Sequence, residues 1–302
     1  MRFGAHLPLV DFGDGCVSGG QLRDYVRAAR DAGFDTLAAN DHLLWRRPWL
    51  DGPTALAAAA GCAGSMTLAT TVALPALRHP VVLAKALTTL AVLHPGPVVA
   101  GIGPGSGRDD FAAVGIPFAE RWSRFDAAAR QLRELLAGDG SAAAVRPRPD
   151  PPPQIWYAGW GSARRLRATA AAADGWIASG HHGGPGEYAT NRARLDAQLR
   201  AAGRDPAAFP DMVATVWFHV TDDPAEAARV LHDVLAPALR ADPRALARSL
   251  PVGSPEHCVR VLSDYARAGA RRVLLWPVRD GVRQLWRCAE EIAPHVPGAS
   301  PR

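Results

Sequence analysis

The chain has 302 residues, of which 48% are hydrophobic, 21% charged and 7% aromatic, so it is too apolar for a disordered protein and long enough to bury a core without staples. Its formal charge of +5 comes almost wholly from arginine, Lys85 being the sole lysine. No run of five basic residues occurs, and cations alternate with acids (Arg192, Arg194, Asp196, Arg200), which excludes a nucleic-acid partner from expectation.

Arg2 to Leu7 reads as a first strand. A helix starts at Ser18, which has capping-box spacing to Gln21; Leu22, Tyr25, Val26 and Ala29 mark its buried face and Gly33 its end. A strand at Phe34 to Ala39, a helix near Pro53 to Cys62 and a strand from Met66 to about Leu74 follow. The helix after His79-Pro80 leads to a strand at Pro97 to Ile102 and a long helix from about Glu120 to Leu136. Residues 146–153 form a proline-rich connector that cannot be helical.

The second half repeats the rhythm: strand Ile155 to Ala158, helix Ser162 to Ala172, strand Gly175 to Ala178, helix Pro185 to Ala201 and strand Met212 to Val220. Asp223-Pro224, Asp242-Pro243 and Ser254-Pro255 read as N-caps with proline at the first helical position. The last strand spans Arg272 to Trp276, and a closing helix carries Val282, Leu285, Trp286, Ala289 and Ala293 on one stripe. Eight strands, each followed by helix, predict an α/β protein folded as one closed (β/α)8 TIM barrel over residues 1–298. Gly101 to Gly105 lacks the third glycine of a GxGxxG turn, so a dinucleotide-binding sheet has little support.

In such a barrel the chemistry gathers where strands end. Those ends are His6; Asn40-Asp41-His42; Thr70-Thr71-Val72; Gly103-Pro104-Gly105-Ser106; Tyr157 to Ser162; Ser179 to His182; Trp217 to His219; and Trp276. Asp41-His42 is the sharpest pair, since a histidine beside a carboxylate can pass a proton to a substrate or cofactor. The bland alternative is a pair of loop and helix caps. Gly159-Trp160-Gly161-Ser162-Ala163 opens a helix and suits an anion, with Arg164 and Arg165 beside it, or is an ordinary capped turn. His181-His182 has no third ligand at useful spacing, so no metal is expected. Asp109-Asp110 and Glu290-Glu291 read as solvated charge. Cys16, Cys62, Cys258 and Cys288 read as reduced thiols, the N-terminus lacks the apolar core of a signal peptide, and no apolar run spans a membrane; a cytoplasmic protein is expected.

The segments RFGAHLPL at 2–9, GFDTLAANDHL at 33–43 and those at 68–93, 101–126, 152–180 and 253–277 together resemble the bacterial luciferase-like monooxygenases and F420-dependent oxidoreductases, in order along nearly the whole chain. The resemblance implies a barrel holding FMN or the deazaflavin coenzyme F420, with His42 at the reactive edge of the ring and Asp41 fixing its orientation. It places Thr71-Val72 at a non-proline cis bulge against the ring, and Gly159, Gly161, Ser162 and Ala163 in a phosphate loop. Gly103, Gly105 and Tyr157 join the cofactor-binding set. Two departures stand out: Pro104 where relatives carry Arg or Thr, and Ser106 where the sugar-phosphate dehydrogenases carry a catalytic glutamate. The Arg/Ala-rich composition favours F420 and hydride transfer over FMN and oxygenation, and a non-catalytic flavin-binding barrel is a third reading. His6, Trp160, His181, Trp217 and Trp276 are expected to line a pocket for an apolar or ring-containing small molecule. A homodimer through helices near the first strands is also implied.

Overall fold

The computed structural model describes residues 1–13, 15–137, 145–159, 161–181 and 183–299. Its elements run β1 (Arg2–His6), α1 (Gly19–Asp31), β2 (Thr36–Ala39), α2 (Gly52–Ala60), β3 (Thr67–Thr70), α3 (Pro80–Leu93), β4 (Val98–Ile102), α4 (Arg108–Ala113) and α5 (Arg121–Ala137). Then come β5 (Gln154–Ala158), α6 (Ala163–Ala172), β6 (Gly175–Ser179), α7 (Pro185–Ala201) and β7 (Asp211–Val220). The chain ends with α8 (Pro224–Arg229), α9 (Ala236–Leu239), α10 (Pro243–Ser249), β8 (Val252–Gly253), α11 (Pro255–Arg267), β9 (Arg272–Pro277) and α12 (Gly281–Arg287).

Parallel pairing runs from β1 through β7, and β9 joins β7 to β1, so eight strands close into the barrel. Inside it, Ala38, Ala69, Val99, Trp156, Ile177, Met212 and Leu274 pack as a core separate from the helix-facing layer. Two glycines make this possible: a Cβ on Gly4 would lie 2.3 Å from Leu274, and one on Gly101 2.0 Å from the Thr70 carbonyl. Outside, α1 begins at the capping box, with Ser18 Oγ accepting from the Gln21 N–H and Gln21 Oε1 accepting from the Ser18 N–H. Asp223, Asp242 and Ser254 each cap a helix that has proline at its start.

Several expectations are corrected. β3 ends at Thr70, short of the expected Leu74; beyond the cis Thr71-Val72 peptide, Ala73 pairs again with Ile102 of β4, so the irregularity is a bulge in the ladder. The helix α4 and the two-residue β8, which pairs with the end of β7, have no counterpart in the sequence reading. The closing stripe is only partly right: the buried face of α12 and the π-turn after it at Cys288–Ile292 runs through Gln284, Leu285, Cys288 and Ile292, so the row of Val282 and Trp286 falls to one side of it. Leu285 and Ile292 are buried, whereas Val282 and Trp286 face outward.

Candidate active site

The loop after β2 carries His42, and its fixed partner comes from across the sequence. His42 Nδ1 lies 2.8 Å from Asp110 Oδ2, on the first turn of α4. The other carboxylate oxygen of Asp110 accepts the backbone N–H groups of Leu43 and Leu44, at 2.9 and 2.6 Å. Asp110 is 0% exposed, so it is buried and fully hydrogen-bonded, not solvated charge. A carboxylate that accepts at Nδ1 makes that nitrogen the donor and leaves Nε2 to exchange a proton. The expectation that Asp41 orients His42 is thereby corrected. Asp41 turns the other way, onto Arg78, with Nε–Oδ2 and Nη2–Oδ1 distances of 2.7 Å. Arg78 also bonds Asp51, the N-cap of α2, so one guanidinium clamps both ends of the loop that carries His42. The hydrogen bonds that Arg78 donates to Asp41, reinforced by the charges of both carboxylates, raise the Arg78 pKa.

A cavity of about 570 Å³ opens over these groups at the carboxyl ends of the strands. It has two unlike poles. Phe118, Arg121, Trp122, Ser162 and Arg165 line the side by β4 and β5; Val10, Phe12, Trp45, Trp49, Trp217 and Trp276 line the side by β1, β7 and β9. Arg165 lies 4.0 Å over the Trp122 ring and is ion-paired with Asp126, and Arg121 lies 4.2 Å over Phe118. At the opposite pole Trp217 stacks on Trp276 at 4.4 Å and Trp49 meets Trp276 edge-on.

The floor between the poles is a hydrogen-bonded chain across four strands. Thr71 Oγ1 donates to Asn40 Oδ1 at 3.0 Å, Asn40 Nδ2 donates to Thr215 Oγ1 at 3.3 Å, and the Thr215 N–H donates to His6 Nε2 at 2.8 Å. Thr215 sits in a β7 bulge with φ of 61°, a costly conformation for a β-branched residue. Burial pushes the His6 pKa down to about 3, so the ring is a neutral acceptor.

Of the residues singled out from the sequence, Asp41, His42, Thr71, Val72, Gly105, Ser162, His181, Trp217 and Trp276 line the cavity. His6 does not: it is fully buried beneath Trp276, stacked at 4.5 Å. Gly103 lies under Val72, where a Cβ would approach Val72 Cγ2 to 2.6 Å, and Tyr157 packs away from the rim on Phe125. Gly159, Gly161 and Ala163 shape the turn without lining the cavity, and Trp160 and His182 lie outside the described residues. Burial lowers the His181 pKa. Trp45, Trp49 and Thr215 were not singled out beforehand; Arg165 was named beside the α6 turn, and Asp110 was read as solvated charge although it meets His42 from 68 positions away.

These residues fit a flat heterocycle with an anionic tail. Ser162 caps α6, its Oγ 3.4 Å from the Arg165 N–H, and stands on the cavity wall beside Arg165. A Cβ on Gly161 would lie 2.4 Å from Asn191 Oδ1, so a larger residue there would have to displace the Asn191 side chain. The helix terminus and arginines suit a phosphate, and Thr71 and Val72, joined by a cis peptide, line the cavity wall. Fold and rim together define a barrel oxidoreductase of the flavin- or deazaflavin-dependent class.

Comparison with known proteins agrees. A family model described as luciferase-like monooxygenase matches residues 1–243, and the chain belongs to that family. An F420-dependent glucose-6-phosphate dehydrogenase from Beutenbergia cavernae is 30% identical, over 91% of this chain and 93% of that one. An F420-dependent hydroxymycolic acid dehydrogenase from Mycobacterium tuberculosis is 31% identical, over 68% of this chain and 61% of that one. Among solved structures, the monooxygenase RslO1 from Streptomyces bottropensis superposes with a TM-score of 0.81 at 24% identity, covering 98% and 99% of the two chains. An F420-dependent secondary alcohol dehydrogenase in complex with an F420-acetone adduct gives 0.84 at 17% identity, covering 98% of each.

Proposed function

We propose that this chain is a coenzyme F420-dependent oxidoreductase acting on an apolar or ring-containing small molecule. The observation that carries the reading is the two-pole cavity, cationic at the α6 terminus and aromatic at β1, β7 and β9, with His42 on its wall. When bound, the deazaflavin supplies a hydride donor or acceptor. Ser162 and Arg165 hold its anionic tail, Thr71-Val72 supports the ring, and Gly103, Gly105, Gly159, Gly161, Ala163 and Tyr157 shape the surrounding turns. His42 gives a proton to the substrate in reduction and takes it in oxidation, and Asp110 positions the imidazole. Asp41 acts through Arg78 on the loop and not on His42.

The reading places residues 1–298 in one domain, acting in the cytoplasm as a homodimer without a nucleic-acid partner. The four cysteines are all free, and no helix among the described residues is long and apolar enough to cross a membrane. A second copy is argued from the outer faces of α2 and α3, where Val82 is 65% and Leu93 69% exposed beside exposed Ala57 and Ala58.

The test is anaerobic titration of the purified protein with F420 and, separately, with FMN, read by quenching of cofactor fluorescence. F420 is expected to bind at least about tenfold more tightly, a difference of about 1.4 kcal/mol. Tighter FMN binding with oxygen consumption would turn the assignment to a flavin monooxygenase. Binding without turnover of any substrate would indicate a non-catalytic barrel, and binding of neither would overturn the reading.

A further inference from the structure

The aromatic pole specifies more than an apolar ligand. Two arginines belong to its loop, yet both stand outside it. The Arg46 guanidinium lies 5.5 Å over Trp45 and donates to the Pro237 carbonyl; the Arg47 guanidinium lies 5.7 Å over Phe12. Arg78 is engaged by Asp41 and Asp51. The arginines that do line the cavity, Arg121 and Arg165, sit at the far pole. Among the described residues, no cation lines the aromatic pole, so a phosphate placed there loses its water and meets no opposite charge.

The floor beside that pole asks for an oxygen. Thr215 Oγ1 accepts from Asn40, which leaves its own hydroxyl hydrogen to donate, and that hydrogen has no acceptor among the described residues. His6 holds the Thr215 backbone N–H and Thr71 holds Asn40, so the hydroxyl is fixed on the cavity wall. His42, also on that wall, has Nε2 as its proton-exchanging atom. The Thr215 hydroxyl and the proton carrier His42, beside indoles whose Trp49 and Trp217 N–H groups also have no partner among the described residues, suit an oxygen on an otherwise apolar ring.

We infer that the substrate pair is an uncharged cyclic secondary alcohol and its ketone, not a sugar phosphate, and that Thr215 orients the substrate oxygen. The inference rests on the F420 reading above. In oxidation the carbinol C–H bond breaks and its electron pair leaves with hydrogen as hydride to the oxidised deazaflavin. The O–H bond breaks, its proton passes to His42 Nε2, and the C–O bond becomes C=O.

The test uses the holoenzyme loaded with oxidised F420 and offers cyclohexanol, 1-phenylethanol and glucose 6-phosphate, following bleaching of the deazaflavin. Turnover of the ring alcohols is expected, with kcat/KM at least about 10³ above that for glucose 6-phosphate. A glucose 6-phosphate value equal to or above those of the alcohols would overturn the inference and leave the cofactor assignment standing. Failure of all three substrates with cofactor bound would also overturn it, whereas failure of cofactor binding would sink the F420 reading itself. Thr215→Val keeps the branched shape and the backbone N–H, so cofactor affinity is expected to hold within about twofold while kcat/KM for cyclohexanol falls about tenfold. Thr215→Ser is expected to restore it. A valine variant as active as the parent, or a serine variant no better than valine, would overturn the role given to Thr215.

Discussion

Asp110→Asn separates the two carboxylates that compete for His42. The amide oxygen of the variant can still accept from Leu43 and Leu44, so the loop keeps the bonds that hold its backbone. Its NH2 group then faces His42 Nδ1, where the carboxylate stood. Two donors cannot share that contact, so the imidazole shifts its hydrogen to Nε2, the atom that must take a proton. The lost charge-assisted bond costs about 2 kcal/mol, which lowers the thermal midpoint of a chain this long by about 3 °C. The wrong tautomer costs far more in rate, and kcat is expected to fall by about 10³ with cofactor affinity little changed. Asp41→Asn weakens the Arg78 clamp instead, so it is expected to cost about 2 to 3 kcal/mol of stability and less than about tenfold in kcat. The assays are steady-state turnover with cyclohexanol, cofactor titration and thermal unfolding on both variants. Near-parental turnover in Asp110→Asn, or an Asp41→Asn variant with the larger loss of kcat, would refute the assignment.

His6 makes the fold acid-sensitive. Its folded pKa of about 3 lies below the unfolded value, so below pH 6.5 the unfolded chain binds the extra proton and stability falls with pH. Between pH 6.5 and 4 this one site removes about 3 kcal/mol, and His6→Phe, which keeps the stack on Trp276, should flatten that part of the urea-denaturation profile; an unchanged slope would contradict it. At the α2–α3 face, Val82→Asp with Leu93→Asp places charge on the inferred dimer surface. Light scattering is expected to show a dimer in the parent and a monomer in the double variant, and a monomeric parent would refute the interface.

Local rules were the legible part of this fold. The Ser18–Gln21 box, the α7 boundaries at Pro185 and Ala201 and the three capped prolines each depend on residues a few positions apart. The closing stripe misled because apolar Val282 and Trp286 lie beside the buried face, which instead uses Gln284 and Cys288 next to Leu285. In the site, the strand-end argument found His42, Thr71, Trp217 and Trp276, but it read His6 as a pocket residue although its ring lies beneath Trp276. The cis peptide at Thr71-Val72 was anticipated through family resemblance, since no local composition announces one. Asp110 was hidden because its partner is 68 positions away and its neighbour Asp109 is exposed. The Thr215 bulge was hidden for a similar reason: His6, which holds it, lies 209 positions earlier.

The central claim is that the rim binds the cofactor while His42 moves the proton. Measuring F420 affinity and cyclohexanol turnover in His42→Ala against the parent tests it directly. Cofactor affinity is expected to stay within about threefold, because the proposed tail site lies at the α6 pole, while kcat falls by at least about 10³ across the pH range. A variant that keeps parental turnover, or that loses cofactor and turnover in parallel, would contradict the account.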